Sequence, residues 1–188
     1  MATSEWDIIP MKFMINGMNW DMIPIGKDAV NTNFWNKSDE LIKAGLELEM
    51  SLLKQMNVNA IRHYSDIPSK WVQYIFENYG IYTMLNHSFG RYGLTINGVW
   101  EPITDYSDHN TQKVLLSEIE TVVNKYKNTP GLLLYLLGNE NNYGLFWSGA
   151  ETEDFPEEES KKKAVGEKYG RPMYKLMNLA AKKIKELD

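Results

Sequence analysis

The chain has no cysteine among its 188 residues, so disulfides and thiolate metal sites are excluded and the redox compartment stays open. Histidine is scarce. His63, His87 and His109 stand far apart, and no His/Asp/Glu set has metal-ligand spacing, so neither a metal nor another cofactor is expected. No apolar stretch approaches the ~18–20 residues of a membrane span, and no membrane partner is expected. No Gly-x-Gly-x-x-Gly or Walker-type loop occurs, which removes most support for a nucleotide-binding open sheet. Basic charge is not in excess: the formal net charge is -5, and phosphate neutralisation needs a basic surface, so nucleic acid is not an expected partner. Met1-Ala2-Thr3-Ser4 lacks the basic-then-apolar pattern of a secretion signal, and the cellular location stays unknown.

What is present is an ordinary globular composition, 43% hydrophobic and 24% charged, in a chain long enough to bury one core. The apolar run Leu132-Leu133-Leu134-Tyr135-Leu136-Leu137 follows Thr129-Pro130-Gly131 and stops in Gly138-Asn139-Glu140-Asn141-Asn142. Such a run reads as a strand buried on both faces, as in parallel sheets, whose sites collect at the carboxyl ends of the strands. Strands are expected at about 12–18, 58–61, 81–85 and 132–137. Helices are expected over Asp39–Met56 with a Leu46, Met50, Leu53, Met56 stripe, over Pro68–Asn78, and over Asp108–Lys127 with Val114, Leu115, Ile119, Val122 and Tyr126 inward. A last helix is expected over Met173–Leu187, after a charged run at Glu151–Lys163 that reads as solvated surface. The alternation predicts an α/β protein with a parallel sheet. Long polar and aromatic loops after strands 1, 3 and 4 favour a (β/α)8 barrel over an open sheet. A complete barrel takes about 250 residues, so a single truncated domain over 1–188, with the first four βα units, is the expected architecture.

The strand ends present Asn19-Trp20, Arg62-His63-Tyr64, Asn86-His87 and Asn139-Glu140. Glu140, desolvated at the end of an apolar strand, would suit a general acid. Asn139 could hold a sugar hydroxyl, and Arg62 could orient a catalytic carboxylate or form a structural ion pair with Glu140. The loops also hold many rings: Trp20, Trp35, Phe89, Tyr92, Trp100, Tyr143, Phe146 and Trp147. Rings outside regular segments suit a ligand with apolar faces and polar edges, such as a sugar, unless they fold back onto the core.

Four blocks in order carry a resemblance. They are Phe13-Met14-Ile15-Asn16-Gly17-Met18-Asn19-Trp20, Leu53 through Arg62 (LKQMNVNAIR), Tyr79-Gly80-Ile81-Tyr82-Thr83-Met84, and Gly138-Asn139-Glu140. Together they resemble the catalytic TIM-barrel domain of glycoside hydrolase family 2 and, more loosely, clan A glycosidases. The resemblance implies retaining hydrolysis of β-linked O-glycosides, with a carbohydrate substrate. Glu140 matches the general acid/base, Asn139 the amide beside the scissile bond, and Arg62 the strand-2 arginine near the nucleophile. His63, Asn86 and His87 match the subsite by position, and Trp20 and Trp147 are the aromatic candidates for sugar contact. In clan A the nucleophile is a glutamate at the end of strand 7, beyond four βα units. Glu101, Asp105 and Glu151 lie in loops without that context. The alternative is thus a catalytically silent half barrel that at most binds carbohydrate. Its two sheet edges and inward face are association liabilities, and a homodimer or higher oligomer is expected.

Overall fold

A computed structural model describes residues 13–23, 33–64, 66–141, 164 and 166–188. The strands are β1 (Gly17–Asn19), β2 (Ala60–His63), β3 (Tyr82–His87), β4 (Leu94–Ile96), β5 (Val99–Glu101) and β6 (Leu132–Leu137). The helices are α1 (Asp39–Gln55), α2 (Ser69–Tyr79), α3 (His109–Tyr126) and α4 (Arg171–Leu187). Four strands form one all-parallel sheet in the order β1-β2-β3-β6, and β4 pairs with β5 as a separate antiparallel hairpin. This is an α/β fold whose parallel sheet and helices are consistent with a TIM-barrel domain.

Local chemistry sets the helix ends. Ser38 opens α1 by accepting from the Leu41 N–H (3.4 Å), and Asp108 opens α3 by accepting from the Thr111 N–H (2.8 Å). Gly80 ends α2 at φ 68, a left-handed value that glycine takes without a Cβ penalty. Met56 departs from the expected stripe. It lies past the end of α1 and is exposed, while Ile42 joins Leu46, Met50 and Leu53 in the core. On α3, Thr111 and Val123 are buried with Leu115, Ile119 and Tyr126, whereas Val114 and Val122 are only half-buried.

One core lies between the sheet and α1 and α2, where Ile42, Leu46, Met50, Ile61, Val72 and Ile75 are sealed from water. Burying each such side chain stabilises the fold by about 1.5–3 kcal/mol. A second core joins α3 and α4 through Leu115, Ile119, Val123, Met173 and Leu176, with Phe89 and Tyr106 packed among them. Both cores lie on the helix side of the sheet. Leu134 and Leu136 belong to neither. All six residues of β6 are half-buried, not buried, because β6 is an edge strand with β3 as its one sheet neighbour. Along it, a groove of about 540 Å³ runs between Leu132, Leu134, Leu137 and the Ala181 and Ile184 side of α4.

The long loop expected after β3 contains the β4–β5 hairpin. Asn97 (φ 51) and Gly98 (φ 81) form its turn, and Asn-Gly is the pair that a two-residue hairpin favours. No helix among the described residues is long and apolar enough to cross a membrane. The charged run at 151–163 lies outside the described residues.

Candidate active site

Because β1, β2, β3 and β6 are parallel, their carboxyl ends share one edge of the sheet. The ladders extend there: the Trp20 N–H donates to the Arg62 carbonyl (2.9 Å) and the Gly138 N–H to the His87 carbonyl (2.8 Å). Ile61 and Leu85 face the helices. The two-residue period therefore sends Arg62 and Asn86 to the opposite face, which no helix among the described residues covers.

There Arg62 binds amides from the ends of the next two strands of the sheet, β3 and β6. Its Nη2 donates to Asn86 Oδ1 (2.6 Å) and to Asn139 Oδ1 (3.0 Å). Its guanidinium lies over the Tyr64 ring, 4.5 Å from the centroid, a cation–π contact that holds the group flat. Among the described residues, the buried Arg62 Nε has no hydrogen-bond partner. Among the described residues no carboxylate pairs with Arg62, and Glu140 is not within ion-pair distance of it. A half-buried cation that, among the described residues, meets amide oxygens and no carboxylate favours an anion placed beside it.

Glu140 follows Asn139 directly and is exposed, so the desolvation expected for it is absent. Its φ is 53, a left-handed conformation that costs a non-glycine residue about 1–2 kcal/mol. The turn holds it on both sides. Asn139 is bound by Arg62, and the Asn139 N–H donates to Asn141 Oδ1 (2.8 Å). Asn141 in turn is buried against the turn that follows β3.

The structure thus brings Arg62, Asn86 and Asn139 together, next to Glu140 in sequence. It does not bring the other candidates to them. His63 is fully buried on the helix side, with Nδ1 2.8 Å from the Asp21 carboxylate and its ring packed against both Trp20 and Trp35. Trp20 is a core residue whose indole N–H donates to Glu49 of α1. His87 also turns to the helix side: its Nδ1 accepts from the Phe89 N–H (3.1 Å), and its Nε2 lies 3.5 Å from Glu118 of α3. Trp147, with Tyr143, Phe146 and Glu151, lies outside the described residues. Of the other loop rings, Phe89 folds into the core, whereas Tyr92 and Trp100 are exposed. A cavity of about 310 Å³ opens beside the constellation, lined by Tyr64, Asp66, Asn86, His87, Lys125 and Tyr126. Among the described residues no group of three or more His, Asp or Glu could hold a metal ion.

Tyr106 and Asn141 were not singled out by strand-end reasoning, and Tyr64 stood in the strand-end set without a role of its own. Tyr64 follows β2 at the period that returns it to the side of Arg62, so alternation was its signal. Asn141 stands in the amide cluster around Glu140, but nothing in sequence separates a buried amide from an exposed one. Tyr106 carries no local signal.

Comparisons with known proteins agree with this geometry. The family model described as glycosyl hydrolases family 2, TIM barrel domain, matches residues 39–152. The chain is 30% identical over 99 residues to a β-galactosidase of Lactococcus lactis subsp. lactis, covering 51% of this chain and 9% of that protein. It is 32% identical over 90 residues to a probable 1,3-β-glucanosyltransferase of Saccharomyces cerevisiae, covering 46% of this chain and 16% of that protein. The match therefore spans a minor part of either curated relative. With the model covering more than half of its residues, and a parallel sheet whose carboxyl edge carries the matched motif, the chain belongs to the TIM-barrel domain family of the family 2 glycosyl hydrolases.

Proposed function

We propose that this domain carries the acid/base side of a retaining β-glycosidase or transglycosylase site, with Glu140 as general acid/base. The observation that carries the reading is the Arg62–Asn86–Asn139 constellation at the carboxyl edge of the sheet, one residue from Glu140. Asn139 contacts a sugar hydroxyl next to the scissile bond. Glu140 protonates the leaving oxygen and then activates the acceptor, water or a second sugar. The nucleophile is a second carboxylate about 5–5.5 Å from the first, seated beside Arg62. A β-galactosidase and a probable 1,3-β-glucanosyltransferase among the relatives support β-linked substrates and both kinds of acceptor.

The test is release from a panel of aryl β-glycosides by the chain and by Glu140→Gln. Release that falls to background in the variant supports the assignment. Equal release from both removes Glu140 from the mechanism.

The second reading is a silent half barrel, over 1–188, that at most binds carbohydrate. It is favoured by the lack of a carboxylate at Arg62 among the described residues. In either case the β1 and β6 edges and the Leu134–Leu136 face call for four further strands. We propose that a second copy of the chain supplies them, each β6 pairing with the other copy's β1. Light scattering reads this directly: a monomer at micromolar concentration rejects the dimer.

A further inference from the structure

We infer that Asn141, together with Tyr106, is a positioning residue for Glu140, locking the turn that presents the carboxylate. The functional half rests on the reading of Glu140 as acid/base; the structural half stands alone. Asn141 is 5% exposed, and its whole side-chain amide is engaged. Its Oδ1 accepts from the Asn139 N–H at 2.8 Å. Its Nδ2 lies 3.1 Å from the Ser88 carbonyl, 3.0 Å from the Phe89 carbonyl and 3.1 Å from the Tyr106 hydroxyl, two hydrogens shared among three acceptors. Tyr106 donates to the same Phe89 carbonyl (2.8 Å), and its ring stacks on that of Phe89. Burial pushes the Tyr106 phenol up, which keeps it a protonated donor. The turn after β6 is thereby fastened to the turn after β3.

Two backbone features tie this fastening to Glu140. The first is its φ of 53, which an L side chain keeps only where the surroundings hold it. The second is Gly138, at φ 96, where an added Cβ would lie 2.3 Å from Asn141 Oδ1. The turn is built around the amide. Polarity also fixes the residue type: an aspartate of the same shape would set an oxygen against two carbonyls and lose both donors. With Asn139 held by Arg62 and Asn141, the backbone on each side of Glu140 is pinned, and its carboxylate departs from a fixed origin.

The experiment compares the full chain with Asn141→Asp and Tyr106→Phe by NMR and by kinetics on an aryl β-glycoside that the unmodified chain cleaves. Hydrogen exchange is read at the Asn139 N–H and, as reference, at the Thr83 N–H, which donates to the Gly131 carbonyl within the sheet. The backbone coupling constant of Glu140 reports its φ. Asn141→Asp is expected to lose about tenfold or more of the protection at Asn139, with Thr83 unchanged. The Glu140 coupling shifts, and kcat falls by roughly 10–100-fold with KM little altered. Tyr106→Phe moves the same readouts less. Unchanged exchange and coupling overturn the clamp. Loss at Asn139 and Thr83 alike overturns positioning in favour of a general structural role, as does a local loss with unchanged kcat. If the unmodified chain cleaves no glycoside, the acid/base reading falls, and exchange with coupling still decides the clamp.

Discussion

The two faces of the sheet use polar residues in opposite ways. On the face covered by helices, His63 is packed against Trp20 and Trp35 and bonded to Asp21, and His87 is bonded to the Phe89 N–H and set near Glu118. Those imidazoles have partners that fix them in the packing. On the uncovered face, Arg62 and Asn86 are half-buried, and Arg62 donates to both Asn86 and Asn139 at the strand ends. Arg62 and His63 are adjacent in sequence, as are Asn86 and His87. The pleat alone sorts them. A polar residue at a strand end of this fold therefore carries structure or chemistry according to its parity.

Arg62→Ala strikes the uncovered face and carries the largest expected effect. It leaves the Asn86 and Asn139 oxygens without their shared donor and removes the charge that would seat a nucleophile. Cleavage of the best aryl glycoside is expected to fall roughly 10²–10³-fold in kcat/KM, with the melting temperature nearly unchanged. His63→Ala strikes the covered face and should do the reverse. Removing a fully buried ring packed on two tryptophans costs about 3 kcal/mol of stability, read by urea unfolding, while kcat at a temperature where the variant is folded stays within about twofold. A selective loss of kcat in His63→Ala, with stability intact, would put the chemistry on the wrong face and break the comparison.

Much of this was legible from periodicity. The run 132–137 and the helix stripes of α1 and α3 reflect burial repeating along one element, which sequence records directly. Arg62, Asn86 and Asn139 were legible because parallel strands place their carboxyl ends together whatever the loops do. His63, His87 and Trp20 were grouped with them because adjacency in sequence does not reveal parity once a strand ends. The strand register that resolves it, Arg62 opposite Met84 and His63 opposite Leu85, is a property of pairing. Burial of Glu140 was expected from the apolar run before it, but Gly138 bends the chain at φ 96 and turns the next residues out of the strand's environment. The Asn141 clamp joins residues 35 and more positions apart through one amide, a contact that no local pattern announces.

A smaller effect sharpens the contrast on the covered side, where charge also serves structure. Asp66, after β2, is bonded by Lys125 Nζ at 2.7 and 2.9 Å and by the Tyr126 hydroxyl at 2.7 Å, and that hydroxyl also lies against the Ile67 carbonyl. The group straps the end of α3 to the loop leading into α2. Burial opposes ionisation of Asp66, yet the Lys125 and Tyr126 bonds outweigh it and hold the carboxyl below its ordinary value of 3.8. A carboxyl lowered on folding stabilises the native state above its unfolded pKa and loses that contribution as pH falls through the folded value. Tyr126 has the opposite sign. Burial and the Asp66 bond raise its phenol, so its contribution is complete below about pH 10 and lost above it. Because the Asp66 side chain is 78% exposed, solvent screens the pair. Asp66→Asn is expected to cost only about 0.5–1 kcal/mol near neutral pH, and to converge with the unmodified chain as the pH falls through the lowered folded value. Unfolding curves across pH 2.5–7 measure it. A difference that stays constant as the carboxyl is protonated would mean the strap acts through shape and not through charge.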